Sequence, residues 1–366
     1  MSAAENTKGD ISTLNNDVLL IFAPYPDTTG FVGRIAKRFK GLQVRWVKST
    51  ASPLIPPKAG DLDAKDWDDV TLLATFQPPP AEFLSKVRFV QLTTAGIDRW
   101  PGHLTYENDK VTFATSNGVH APQIAEWVIG AWLMHQHAFR NYGENMKTGT
   151  WQSPFTAKVQ DSIGMRIGIL GYGAIGRQCA RLAKTLGMEV YAYTRSERST
   201  PETRKDDSYC VPGTGDPDGL LPAKWFHGAA KEDVNHFLRQ DLDLLVIGVP
   251  LTPETRQIIS HEQFEILSKK KTFIANIARG GLINQEALIK ALETDQIRGA
   301  ALDVTDPEPL PSDHPLWKAP NLIITPHISW KTDALFERLL DLMEINLEKL
   351  ATGQPLINVV NRQLHY

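Results

Sequence analysis

Residues 165–176 read Met165-Arg166-Ile167-Gly168-Ile169-Leu170-Gly171-Tyr172-Gly173-Ala174-Ile175-Gly176, and this stretch decides the fold. Arg166 to Leu170 is short, mostly apolar and closed by glycine, the pattern of a buried strand. From Arg177 to Leu186 apolar residues recur at helical spacing (Cys179, Leu182, Ala183, Leu186) and stop at Gly187. Glu189 to Tyr193 then reads as a second strand. A G-x-G-x-x-G between strand and helix inside a βαβ unit is the setting in which this motif holds a dinucleotide. Gly171 permits the tight turn, Gly173 lets the backbone approach a pyrophosphate, and Gly176 lets the helix pack close to the strand. Tyr172, Ala174 and Ile175 complete the turn, and the first N–H groups of the helix face the phosphates with a favourable dipole.

The chain on either side supports a two-domain α/β protein. Its 366 residues are too many for one average domain. An apolar fraction of 42% with 22% charged residues is that of a globular chain, and a net charge of −3 gives no reason to expect a nucleic-acid partner. Cys179 and Cys210 lie far apart without C-x-x-C spacing, which predicts no disulfide framework, no zinc site and a reducing, cytoplasmic setting. No apolar run approaches the roughly 20 residues of a membrane span. Residues 1–16 are polar, lack the apolar centre of a signal peptide and read as a loose tail.

Strands are expected at Val18 to Ala23, Val44 to Val47, Val70 to Phe76, Val87 to Thr93 and Lys110 to Thr115, with helices at Gly30 to Phe39 and Ala81 to Ser85. Ala121 to Arg140 reads as one long helix, apolar on most faces and therefore buried between layers. His135 and His137 on it are two apart and point to different faces, so they are structural rather than a metal pair. Beyond the glycine motif, strands are expected at Asp243 to Val249, Thr272 to Ile277, Gly299 to Asp303 and Leu322 to Thr325. Helices at Ser260 to Leu267 and Asn284 to Glu293 separate them. Ser196 to Ala230 is rich in proline, glycine and charge and longer than a common connection, so it is either an inserted surface flap or partly disordered. Lys331 to Ala351 reads as an amphipathic helix and Ile357 to Val360 as a short strand returning to the first domain.

Four segments fall at carboxyl ends of expected strands, where doubly wound sheets place their ligands. In Asn276-Ile277-Ala278-Arg279-Gly280-Gly281 an arginine sits on an irregular turn, where its planar guanidinium suits a carboxylate. Alone it would read as a surface arginine over a helix start. In Ala301-Leu302-Asp303-Val304-Thr305-Asp306-Pro307-Glu308-Pro309, Asp303 follows a strand and Glu308 is stiffened between prolines. In Ile324-Thr325-Pro326-His327-Ile328-Ser329-Trp330 a histidine ends a strand; histidine is the side chain suited to proton transfer near neutral pH, and a carboxylate beside it orients the ring. Thr94-Ala95-Gly96 offers backbone N–H groups to a small anion, or is an ordinary turn.

Gly171-x-Gly-x-x-Gly176, Asn276-x-x-Arg279-Gly-Gly, Ala301-Leu-Asp-Val to Glu308-Pro and Pro326-His327 stand in the order and spacing of the D-isomer-specific 2-hydroxyacid dehydrogenases, which the chain resembles from about residue 85 to 350. The resemblance implies an α/β fold of two doubly wound parallel-sheet domains. A Rossmann cofactor domain, 121–330, would be inserted into a flavodoxin-like substrate domain, 1–120 and 331–366. It further implies that Arg279 grips the substrate carboxylate and polarises its 2-oxo group. His327 would give a proton to the carbonyl oxygen, and Glu308 would hold His327 in its protonated form. Ala95 and Gly96 would take the carboxylate through their N–H groups, and Asp303 would bond the nicotinamide amide. Val249, Pro250, Ile277 and Ala278 would line the cofactor. A homodimer through the cofactor domains, including the Gly143 to Trp151 arm, is also implied. Trp330 departs from the small residue common in the family. It would narrow the substrate pocket or touch the nicotinamide, or else pack between domains.

The implied activity is reduction of a small 2-oxo acid to a D-2-hydroxy acid. Two similar groups compete with it. Corepressors of the C-terminal-binding-protein type share the fold and act as dinucleotide-sensing scaffolds, and formate dehydrogenases carry glutamine where Glu308 stands. NAD-binding Rossmann domains usually carry an acid at the end of the second strand. Here that position is Thr194, followed by Arg195, Ser196, Glu197 and Arg198, so the carboxylate that would repel a 2′-phosphate is missing and Arg195, Ser196 and Arg198 are placed to bind one. NADP(H) is therefore expected over NAD(H).

Overall fold

A computed structural model describes residues 14–49, 56–153, 155 and 158–363. It divides into two compact units, one running up to Val119 and resuming at Asp333, the other spanning His120–Thr332. The first contains strands β1 (Val18–Ala23), β2 (Gln43–Lys48), β3 (Leu72–Thr75), β4 (Phe89–Leu92) and β5 (Thr112–Ala114). They form a parallel sheet in the order β2-β1-β3-β4-β5, the flavodoxin-like sequence. Successive side chains of β1 alternate between two cores. Leu19 and Ile21 pack with Phe31 and Ile35 of helix α1 (Phe31–Arg38) and with Leu340, Met343 and Leu347 of the C-terminal helix Leu335–Thr352. Leu20 and Phe22 pack with Trp67, Val90, Trp100 and Phe113.

The N-terminal stretch read as a tail lies largely outside the described residues, and its described end is not loose, because Leu14 is buried in the first of these cores. Residues 357–360 do not form a strand. They make one antiparallel bridge, Val359 to Ala114, because Asn358 at φ 58° interrupts the extended backbone.

The second unit holds β6 (Arg166–Leu170), β7 (Glu189–Thr194), β8 (Lys224–His227), β9 (Leu244–Ile247), β10 (Phe273–Asn276), β11 (Gly299–Leu302) and β12 (Leu322–Ile324). The sheet is parallel throughout, in the order β12-β11-β10-β9-β6-β7-β8. Strand order reverses across β6 and β9, which places a ligand crevice at the carboxyl ends of those two strands. Helices α2 (Ala121–Gln136) and, beyond α3 (Phe139–Thr148), α4 (Ala174–Thr185) bury one face, with Val128 and Trp132 against Ile167, Cys179 and Ala183. Helices α5 (Lys231–Leu238), α6 (His261–Ser268) and α7 (Gln285–Glu293) bury the other through Phe237, Phe264 and Leu288. No helix among the described residues is long and apolar enough to cross a membrane.

Two expectations are corrected in this unit. The long apolar helix does not run to Arg140. Ala138 adopts a left-handed backbone at φ 53°, which ends α2 at Gln136 and starts α3 in a new direction. The Ser196 to Ala230 segment is not disordered: it carries a helical turn, Pro201–Arg204, and the edge strand β8, in register with β7 from Tyr191↔Lys224 to Thr194↔His227. Trp225 and Phe226 anchor β8 against Tyr172 and Tyr191.

His135, on α2, lies against the Phe273 ring at 4.8 Å. Burial, then the charge of Arg298, lowers its pKa from 6.5 to about 4. Above pH 6.5 it is neutral in folded and unfolded chains alike; as pH falls toward 4 the unfolded chain takes up the proton first, so stability is lost. A shift of that size predicts a loss of about 2 kcal/mol between pH 7 and pH 5 from this residue alone. Denaturant titrations at the two pH values should show His135→Phe losing correspondingly less stability than the parent chain; equal losses would remove the assignment.

Candidate active site

The crevice begins where β6 turns into α4. Gly171 has φ 107°, and a Cβ there would lie 2.6 Å from the carbonyl carbon of Gly248, so only glycine lets this turn meet the end of β9. The N–H groups of Gly171 and Tyr172 both donate to the Tyr193 carbonyl at 3.1 Å, which ties the turn to the end of β7. They are thus occupied within the protein. The Tyr172 side chain is buried too, its hydroxyl donating to Asp216 at 2.8 Å. Tyr172 therefore shapes the turn instead of lining a ligand surface, a departure from the sequence expectation.

Gly173, by contrast, is exposed, with nothing within 4 Å of the place a Cβ would occupy. Helix α4 starts at Ala174 with no side-chain cap and no acid in its first turn. The first-turn N–H groups of such a helix have no partner inside it. The exposed Gly173 and half-buried Ile175 thus open an anion-seeking helix start, which fits a pyrophosphate, while Ala174 and Gly176 are buried and Gly176 packs against Gly171. At the end of β7, Thr194 donates its hydroxyl to the Ser196 carbonyl at 2.7 Å. Arg195 and Ser196 are exposed. Arg198 is turned away, its guanidinium donating to the Thr203 carbonyl. Val249 and Pro250 follow β9 next to the glycine turn, and Ile277 and Ala278 follow β10. Ala95 and Gly96 lie in the turn after β4 of the other unit, where the Thr94 hydroxyl closes on the Gly96 carbonyl at 2.6 Å.

Arg279 is set by its neighbours. Asn276, at the end of β10, accepts from the Ala278 N–H at 3.1 Å and donates to the Arg279 carbonyl at 2.9 Å, an Asx turn that shapes the loop. The guanidinium is half-buried and donates to the Ala278 carbonyl at 2.6 Å. A Cβ on Gly280 would lie 2.0 Å from the carbonyl carbon of Thr305, so glycine lets the Arg279 loop press directly on the Glu308 loop. Glu308 accepts from the Thr305 N–H at 3.0 Å through Oε1, while Oε2 lies 2.9 Å from His327 Nδ1. Burial alone would raise the Glu308 carboxyl. The hydrogen bond and charge of His327, the Thr305 N–H and the charge of Arg279 outweigh it and hold the group below its ordinary 4.5. The pairing is therefore complete above that value and lost only as pH falls through the lower one.

His327 adopts a left-handed backbone at φ 52°, sustained by what surrounds it. Its N–H donates to the Asp303 and Thr325 carbonyls at 2.8 and 2.9 Å, and its own carbonyl accepts from the Trp330 indole at 2.7 Å. The Trp330 carbonyl in turn accepts from Gln123 at 2.8 Å. Trp330 thus braces the histidine turn while remaining 37% exposed. The Asp303 carboxylate is buried and takes four donors: the Thr325 hydroxyl at 2.5 Å, the Ile328 N–H at 2.9 Å, and the Ser329 N–H and hydroxyl at 3.0 and 2.5 Å. With both oxygens hydrogen-bonded, Asp303 builds the His327 turn. Asn276, Thr305, Thr325 and Ser329 were missed in the sequence; the Asn-x-x-Arg-Gly spacing was the one available hint for Asn276.

Residues 129–212 and 222–329 match the family model of the NAD binding domain of D-isomer specific 2-hydroxyacid dehydrogenases. The chain belongs to that family. It is 31% identical over 239 residues to glycerate dehydrogenase of Methylorubrum extorquens, covering 63% of this chain and 66% of that one. It is 30% identical over 273 residues to glyoxylate reductase of Thermococcus kodakarensis, covering 71% and 74%. A solved D-isomer specific 2-hydroxyacid dehydrogenase family protein of Aeromonas salmonicida shares the fold with a TM-score of 0.72 at 25% identity, over 94% of this chain and 99% of that one. As a 2-hydroxyacid dehydrogenase the chain is an oxidoreductase acting on a CH–OH group with a nicotinamide dinucleotide.

The contact between the two loops can be tested at its tightest point. Gly280→Ala should cost roughly 1–3 kcal/mol of stability, the usual penalty for an atom with no room. It should also depress kcat/KM by separating Arg279 from Glu308. Wild-type melting temperature and turnover in this variant would show that the close approach is not required.

Proposed function

We propose that this dehydrogenase reduces small 2-oxo acids, such as glyoxylate, hydroxypyruvate or a bulkier analogue, to D-2-hydroxy acids, with NADP(H) preferred to NAD(H). The observation that carries the reading is the 2.9 Å pairing of His327 Nδ1 with Glu308, beside the loop that presents Arg279. When bound, the nicotinamide supplies the hydride. Arg279 offers a planar cation to the substrate carboxylate and to the oxygen on which charge develops. Glu308 holds Nδ1 of His327, so Nε2 on the opposite side of the ring delivers the proton to that oxygen. Gly173 to Gly176 receive the pyrophosphate, while Val249, Pro250, Ile277 and Ala278 line the nucleotide.

The cofactor preference rests on Thr194 and Arg195. Thr194, not a carboxylate, ends β7, and Arg195 is exposed beside it, with the Glu254 carboxylate near enough to feel its charge. Arg198 supports the loop through Thr203 instead of reaching for phosphate. The enzyme names of the relatives favour turnover over a dinucleotide-sensing scaffold. For the assembly we propose a homodimer through α3 and the stretch after it. Phe139, Met146 and Trp151 are 60%, 83% and 95% exposed there, large apolar side chains that a partner copy would cover.

A panel of 2-oxo acids assayed with NADPH and with NADH should give higher kcat/KM with NADPH, and His327→Asn should lower kcat roughly 10²–10⁴-fold while nucleotide binding persists. Preference for NADH would defeat the cofactor assignment, and undiminished turnover in His327→Asn would defeat the mechanism. Light scattering should find a dimer that Met146→Glu with Trp151→Glu converts to monomer; a monomeric parent protein would overturn the assembly.

A further inference from the structure

The segment between β7 and β8 uses its few buried polar groups in one place. Asp216 is only 5% exposed, and its carboxylate accepts the Leu220 N–H at 2.9 Å, the Leu221 N–H at 3.2 Å and the Tyr172 hydroxyl at 2.8 Å. Tyr172 is the second residue of the glycine-rich turn. Arg177, in the first turns of α4 and equally buried, donates to the carbonyls of Asp216 and Arg204 at 2.5 and 2.8 Å. It also forms an ion pair with Asp206 at 3.2 Å and lies over the Tyr172 ring at 5.0 Å. The next residue, Gln178, accepts the Gly215 N–H at 2.6 Å, and one turn beyond Arg177 the Arg181 side chain donates to the Gly215 carbonyl at 2.7 Å. At its other end the segment holds the loop after β7: Arg204 donates to the Arg198 carbonyl at 2.9 Å, and Arg198 to Thr203.

We infer that residues 196–230 form a brace that fixes the phosphate-binding turn against α4, with Asp216 as its positioning residue. The inference rests on the reading of the α4 N-terminus as the pyrophosphate site. The physical reason lies in the glycine turn itself. Gly171 and Gly173 leave it with few side chains of its own to resist deformation. Its one large side chain, Tyr172, is the handle by which an outside element can hold it. A buried carboxylate with three donors is a stiff hold, because releasing any one of them leaves charge unsatisfied in the interior. Arg177 adds a second point of attachment less than two turns away. A brace of this kind acts on nucleotide affinity and not on the proton-transfer group, which is carried by β11 and β12.

Asp216→Asn and Tyr172→Phe are the variants to make, with Kd for NADPH and for NADH followed by nucleotide fluorescence, and folding checked by circular dichroism. Both should bind each nucleotide roughly tenfold more weakly, the factor that one hydrogen bond to a charged group corresponds to. In Asp216→Asn the loss should fall on Kd and on KM for the nucleotide, not on kcat at saturation, a split that a purely structural role would not produce. Tyr172→Phe, which removes one oxygen from a buried ring, decides the matter if Asp216→Asn does not fold. Unchanged Kd for both nucleotides in folded Tyr172→Phe overturns the brace alone. A parent protein that binds neither nucleotide overturns the reading of the site, and the brace with it.

Discussion

The arrangement at the carboxyl edge of the larger sheet depends on one buried charge. Asp303 follows β11 with a carboxylate removed from water, and such a group is tolerable only if its oxygens are fully hydrogen-bonded. The four donors that satisfy it come from Thr325, Ile328 and Ser329, on both sides of His327. Satisfying the charge therefore forces the chain after β12 into one tight turn. Within that turn His327 is held in a backbone conformation that a β-carbon ordinarily disfavours. The left-handed histidine and the buried aspartate are thus joined in one hydrogen-bonded turn.

From this anchor the rest of the site follows by contact. His327 reaches Glu308, Glu308 is fixed through Thr305, and Thr305 presses on Gly280 beside Arg279. Three loops at the ends of β10, β11 and β12 are thereby locked together, although they are far apart in sequence. Charge is balanced along the same path. Glu308 is partly desolvated, which would favour its neutral form, yet Arg279 and His327 keep it ionised. A carboxylate held this way can orient an imidazole without taking its proton.

Much of this was legible in the residues. Apolar runs located every strand of the two sheets except β8, because parallel strands buried on both faces leave continuous apolar segments. β8 escaped because only Trp225 and Phe226 of its four residues are apolar, and because the composition around it is that of a loop. The break at Ala138 was hidden for the opposite reason: alanine favours helix, and the left-handed turn there is a tertiary outcome that propensity opposes. Arg279, Glu308 and His327 could be named, since their types and order carry the chemistry. The work of Asp303 and Trp330 could not. An acid at a strand end looks the same whether it faces a ligand or caps a turn, and only the positions of its donors distinguish the two.

Asp216 and Asp303 show one solution used twice. Each is a buried carboxylate after a strand or loop, each accepts two consecutive backbone N–H groups, and each takes at least one hydroxyl from a different segment. The backbone pair shapes a local turn, while the hydroxyl ties that turn to another part of the sheet. Asp303 thereby links β11 to the histidine turn, and Asp216 links the β7–β8 segment to the glycine-rich turn. Hydrogen bonds to a charged group are worth about 1.5–3 kcal/mol each, against roughly 1 for neutral ones, so a charge is the more rigid fastener once its desolvation is met. A hydride-transferring enzyme has to hold nucleotide and acid catalyst within a fraction of an ångström of each other, and positional error at either end is costly. Two carboxylates of the same design hold the glycine-rich turn and the histidine turn to the sheet that carries both.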